Sequence, residues 1–225
     1  LDERVRLMKW TVETVQKVVS IPVSIDSSNV RILRAGLEAA DRKRGRPMVN
    51  SVSLDRLEAV DLAAEMDAVV IASAAGEKGL PATTNERLGN IDRIIALLSS
   101  RKFSLSRIHC DPLVFPISTD ASNGRNFLST VGATRKKYGK EIHIVAGLSN
   151  VSFGMPSRKI INQVFSWLAA EAGADGGIVD PIQINLEIIN SMDVESEPFK
   201  LAKALLLGED EYGMNFIAAS REGRV

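Results

Sequence analysis

Apolar residues recur along this chain in two alternating rhythms. Val5, Met8, Val12, Val15 and Val19 fall three or four apart, which predicts an amphipathic helix. Ile21-Pro22-Val23-Ser24-Ile25 is a short apolar run of the kind a strand makes. Ser28 or Asn29 then caps a helix carrying Ile32, Leu33, Gly36, Leu37 and Ala40 on one side. Met48-Val49 predicts a strand, and Leu54, Leu57, Val60 and Ala64 predict a helix. Residues 68–72 read as a buried strand, and the Gly-, Pro- and Thr-rich stretch 76–85 as a loop. Thr83 with Glu86 forms a capping box for a helix bearing Leu88, Ile91, Ile94, Ile95 and Leu98. Beyond it the pattern predicts strands at 108–110, 142–146 and 177–179. It predicts helices at about 123–138, 157–172, 182–192 and 198–207.

Six strands, each followed by a helix, imply a parallel sheet with right-handed crossovers. A doubly wound nucleotide fold needs a glycine-rich turn after an early strand. The first turn here, Asp26-Ser27-Ser28-Asn29, has no glycine. The expected fold is therefore a TIM-type (β/α)8 barrel forming a single domain over residues 1–225. Such a barrel has eight strands in about 250 residues, so the six counted here fall two short.

Composition narrows the function. The 225 residues carry 28 basic and 28 acidic side chains, a formal net charge of zero. This argues against non-specific attraction to nucleic acid or to membranes. No apolar run reaches the roughly 18 residues of a membrane span, and the charged start does not read as a signal peptide. The single cysteine, Cys110, suits a reducing compartment and a cytoplasmic location. One cysteine and two histidines make no zinc cluster, so no metal site is expected.

The strand ends carry the chemistry. Asp26, Asn50, Ser73, Asp111, Asn150 and Asp180 each follow a predicted strand. In a β/α barrel those positions converge on the active-site mouth. Singly, Asp and Asn begin turns and cap helices; one at almost every strand end exceeds what capping requires. Amides and carboxylates offer acceptors and donors in fixed planes. They suit a neutral, nitrogen-rich heterocycle such as a pterin, whose aminopyrimidinone edge one carboxylate accepts in bidentate fashion. His109 and His143 lie inside strands and are expected to face the helical layer or pack within it.

Four motifs occur in order: Ser24-Ile25-Asp26-Ser27-Ser28-Asn29, Val49-Asn50-Ser51, Cys110-Asp111-Pro112-Leu113-Val114-Phe115-Pro116 and Gly147-Leu148-Ser149-Asn150-Val151-Ser152-Phe153-Gly154. Together they resemble the pterin-binding domain of methyltetrahydrofolate:corrinoid methyltransferases and of cobalamin-dependent methionine synthase. The segment 209–215 is similar to the branch acting between methylcobalamin and tetrahydrofolate. The resemblance implies methyl transfer between N5 of methyltetrahydrofolate and the cobalt of a corrinoid, in either direction. It implies that Asp26, Asn50, Asp111, Gly147, Asn150 and Arg158 bind the pterin or folate. Asn150 and Asp111 become the catalytic pair, easing proton gain at N5 through a hydrogen-bond network. Phe153 departs from relatives that carry a polar group there.

The resemblance further implies that tetrahydrofolate or its methyl derivative is the substrate, and that cobalt arrives on a corrinoid protein or as free cobalamin. The chain's near match to a corrinoid-binding motif, Glu141-Ile142-His143-Ile144-Val145-Ala146-Gly147, reads as structural. A homodimer is compatible with the sequence. Two more strands and a helix would precede Leu1, making the six strands the third through eighth. Two alternatives stand beside this reading. One is a dihydropteroate synthase-like enzyme, although Arg158-Lys159 is the only basic pair near a strand end for its diphosphate. The other is an inactive pterin-binding remnant.

Overall fold

The computed structural model describes residues 1–225 and divides into two compact units. The first comprises Leu1–Ala82, Glu86–Asp111 and Glu141–His143; the second comprises Thr83–Asn85, Pro112–Lys140 and Ile144–Val225.

In the first unit the helices are α1 (Asp2–Val15), α2 (Val30–Ala39), α3 (Leu57–Glu65) and most of α4 (Thr84–Ser100). They alternate with strands β1 (Ser24–Asp26), β2 (Met48–Val52), β3 (Val69–Ser73) and β4 (Ile108–Asp111). These four strands pair in parallel, in sequence order. Asn29 is the cap that starts α2, its side chain accepting from Arg31 N at 3.0 Å and Ile32 N at 3.4 Å. Glu86 reaches back from α4 to the N–H of Ala82 at 2.7 Å, one residue earlier than a capping box requires.

Helix α2 lies close against β1 because residue 36 is glycine. A Cβ there would come within 2.6 Å of Ile25 Cγ2 and 3.1 Å of Met8 Cγ. The register aligns Ile25 with Val49, Val49 with Val70, and Val70 with Ile108. All four are shut away from solvent, at 0–2% exposure. This row is the hydrophobic face of the sheet.

The second unit is held by helices α5 (Asn123–Tyr138), α6 (Arg158–Ala172), α7 (Leu186–Asn190), α8 (Glu197–Leu206) and α9 (Met214–Arg221). Phe127, Val131, Ile161, Phe165, Phe199, Leu206 and Phe216 are among the side chains of its core. Gly124 lets α5 meet the end of α8, since a Cβ would fall 2.2 Å from the carbonyl oxygen of Leu206. Buried Asp210 caps α9, accepting from Asn215 N at 3.0 Å and Phe216 N at 2.9 Å.

The structure corrects the strand count. The sheet has five strands, not six, and the last, β5 (His143–Ile144), is shorter than the predicted 142–146. The stretch 177–179 forms no strand. It nonetheless tracks β5: Gly176 N donates to Ile144 O at 3.2 Å and Ile178 N to Ala146 O at 2.9 Å. The N–H of Ile144 goes instead to the carboxylate of Asp175, at 2.7 Å. A side chain has replaced a rung of the ladder. No helix is long and apolar enough to cross a membrane.

Candidate functional site

Directly opposite each other on β1 and β2 stand Asp26 and Asn50. The Asn50 side-chain amide donates to Asp26 Oδ2 at 3.3 Å. The register then continues from Asn50 to Ile71 on β3 and from Ile71 to His109 on β4. Two residues further along, Ser73 aligns with Asp111. Side chains two apart on a strand share a face. Asp26, Asn50, Ile71, His109, Ser73 and Asp111 therefore occupy the face opposite the Ile25–Val49–Val70–Ile108 row.

Pairing persists past the strand ends: Ser27 N donates to Asn50 O at 3.2 Å and Ala74 N to Asp111 O at 2.9 Å. Asp26 is exposed, while Asn50 and Asp111 are half-buried. Ser73 Oγ is turned to a local task, accepting from Ala75 N at 3.2 Å. The parallel sheet is thus hydrophobic on one face and polar at the C-terminal rim of the other. A sheet covered equally on both faces would read as apolar throughout.

The two histidines do not face the helical layer. His109 belongs to the Asp111 face, and its ring stacks on His143 with centroids 4.5 Å apart and planes 21° from parallel. Its strand neighbours Ile108 and Cys110 point the other way and are fully buried. The alternation of one strand decides this.

The second unit holds the Gly147, Asn150 and Arg158 positions. Asn150 is not at a strand end; it sits in a 3-10 turn, Leu148–Ser152, with its side chain exposed. Gly147 leaves room for that side chain, since a Cβ would lie 3.1 Å from Asn150 Nδ2. Arg158 braces the turn. Its Nε donates to Ser152 Oγ at 3.0 Å, a terminal nitrogen donates to Ser149 O at 3.0 Å, and its guanidinium lies 5.4 Å from the Phe153 ring centre. Ser118 Oγ donates to Phe153 O at 2.6 Å and Ile117 N to Val151 O at 3.0 Å, tying the segment after Asp111-Pro112 to the same turn. Leu113 has φ of 67°, a costly conformation for a branched side chain. Asp180 holds a turn, accepting from Ile182 N at 3.0 Å and Gln183 Nε2 at 2.8 Å, while the helix expected over 182–192 is confined to α7 and capped by Asn185.

The family model described as pterin binding enzyme matches residues 2–180. The methylcorrinoid:tetrahydrofolate methyltransferase of Eubacterium limosum is 31% identical over 223 residues, covering 97% of this chain and 77% of that protein. The methionine synthase of Mycobacterium leprae (strain TN) is 32% identical over 191 residues, covering 79% of this chain but 16% of that protein. Among solved structures, dihydropteroate synthase from Yersinia pestis superposes with a TM-score of 0.61 at 16% identity. That match covers 87% of this chain and 76% of the other, and at such identity it speaks to the fold alone. The family match over residues 2–180 and the 31% identity across nearly the whole chain show that the chain belongs to the pterin-binding enzyme family.

Proposed function

We propose that this protein transfers a methyl group between N5 of methyltetrahydrofolate and the cobalt of a corrinoid, the corrinoid being a second substrate brought by a partner protein or as free cobalamin. The observation that carries the reading is the polar rim on one face of the parallel sheet, Asp26 bonded to Asn50 with Asp111 two strands away. It is supported by the 31% identity to a methylcorrinoid:tetrahydrofolate methyltransferase. Asp111 accepts the two adjacent donors of the aminopyrimidinone edge, a bidentate geometry suited to a carboxylate. Asp26 and Asn50 serve as a coupled donor–acceptor pair for the rest of the ring, the amide being oriented by the carboxylate.

Asn150 acts at N5. An amide is no strong acid, but its oxygen can accept a developing N–H, and its value lies in bonds that strengthen as the methyl group moves. Gly147 and Arg158 give that amide its room and its footing. When present, the corrinoid supplies a cobalt centre that takes or gives the methyl group; the chain's own residues hold the folate and manage the proton.

The test is a single-turnover assay with methylcobalamin and tetrahydrofolate, followed by the cobalamin spectrum and by chromatography of the folate. Production of methyltetrahydrofolate is expected. Folate binding without transfer would identify a binding remnant. Dihydropteroate formed from a pterin diphosphate and p-aminobenzoate would reassign the chemistry.

A further inference from the structure

The turn that carries Asn150 sorts its side chains by threes, because residues three apart in a 3-10 helix eclipse one another. Leu148 and Val151 share the buried side. Ser152 turns its hydroxyl to Arg158 on another side. Asn150 and Phe153 share the remaining one. Phe153 closes the turn: its N–H donates to Asn150 O at 3.2 Å, and its φ of −60° keeps the side chain in the helical direction. Both residues are exposed, Phe153 at 64%.

A phenyl ring so exposed gains little from the core, yet its backbone is fastened at both ends. Ser118 Oγ donates to Phe153 O at 2.6 Å. Gly154 follows with φ of 82°, and a Cβ there would come within 3.0 Å of the same hydroxyl. Arg158 lies over the ring, 5.4 Å from its centre. The residue is therefore held in place while most of its surface stays open to solvent.

We propose that Phe153 is the platform on which the p-aminobenzoyl ring of the folate stacks. This rests on the folate reading of the site, with Asn150 acting at N5. The folate arm leaves the pterin from the ring carbon bonded to N5, and a methylene and an amine join that carbon to the p-aminobenzoyl ring. At ordinary bond lengths the centre of that ring lies about 6 Å from N5. The step from Asn150 to Phe153 advances about 6 Å along a 3-10 turn. An amide aimed at N5 thus sets the phenyl ring beside the arm rather than beside the pterin. With Arg158 over one face, the other face is the one left for the arm. Two such rings attract when offset, with their centres about 4.5–7 Å apart. Phe153 is then a specificity residue: it tells a folate from a pterin that has no arm.

Calorimetric titration of the full chain with tetrahydrofolate, and with tetrahydropterin, which has the ring system without the arm, tests this. The wild-type protein should bind tetrahydrofolate the more tightly. Phe153→Gln should weaken tetrahydrofolate binding by roughly threefold to tenfold, the scale of one aromatic pair, and leave tetrahydropterin within about twofold. Phe153→Tyr keeps the ring and should bind tetrahydrofolate within about twofold of wild type. Wild-type protein that binds the two ligands equally overturns the inference, and so does Phe153→Gln that weakens both equally or neither. Each of these results leaves the folate reading intact. If Phe153→Gln kept its tetrahydrofolate affinity and lost only transfer from a corrinoid protein, the ring would belong to a partner surface and the platform would be overturned. Wild-type protein that binds neither ligand overturns the proposed function, and the platform with it.

Discussion

The two faces of one sheet differ by a single step along each strand. Ile25, Val49, Val70 and Ile108 form a laterally aligned row, and so do Asp26, Asn50, Ile71 and His109. The first row is sealed. The second is open enough for water or ligand to reach Asp26 and, in part, Asn50 and His109. The strands are the same and the hydrogen bonds are the same; only one step along each strand separates structure from chemistry. Stability should therefore reside in one row and binding in the other.

The largest effect expected from testing that division is on the sealed row. Ile108→Ala leaves a cavity where the side chain is wholly enclosed, and should cost about 2–5 kcal/mol in a denaturant melt. Folate affinity should be unchanged wherever the protein remains folded. On the polar face, Asp111→Asn should cost roughly 2–5 kcal/mol in folate binding, because a donor replaces an acceptor opposite pterin donors. The melting curve should move little. Calorimetric titration giving the wild-type dissociation constant would remove Asp111 from the site.

Off the sheet, Asn150→Ala should lower the single-turnover rate by about a hundredfold or more with a smaller loss of affinity. Equal losses in both would make Asn150 a simple binding residue. Gly36→Ala presses a methyl group into Ile25 from the helix side and should destabilise by about 1–3 kcal/mol. If Gly36→Ala instead weakened folate binding at unchanged stability, the two faces would be coupled through β1. The smallest effect belongs to Asp67, at the strands' opposite ends. Its carboxyl is held below the usual range by the hydrogen bond from Arg46 and by the nearby Arg107 charge. A depressed folded value means its contribution is present above about pH 4 and fades as the pH falls through the folded value. The group is well exposed, so Asp67→Asn should cost less than about 1 kcal/mol at neutral pH, and still less in acid. Asn tolerates the φ of 43° found there.

Much of this was readable from the residues, for physical reasons that differ from place to place. Helix α5 begins and ends where the pattern of the chain predicts, and Gly139, at φ 69°, stops it. Strands β1, β2 and β4 overlap the apolar runs that predict them, although β1 starts only at Ser24 and β2 continues past Asn50 to Val52. Asn150 misled because Leu148 and Val151, three apart and both buried, belong to a 3-10 turn that intervenes after β5. The run 177–179 looks apolar enough for a strand, but strand formation depends on what the neighbouring chain returns, which no local pattern encodes. The orientation of His109 was accessible in principle. Counting back two from Asp111 places it on the same face of β4.

The Asp175 carboxylate that stands in for a peptide carbonyl has a consequence for deuterium uptake. The amides of Gly176 and Ile178 are guarded by main-chain oxygens, whereas the amide of Ile144 is guarded by a side chain, itself held 3.3 Å from the Arg135 guanidinium. Removing that side chain should hasten exchange at Ile144 alone and spare the other two. A margin fastened in this way can be retuned by one residue without redrawing the backbone.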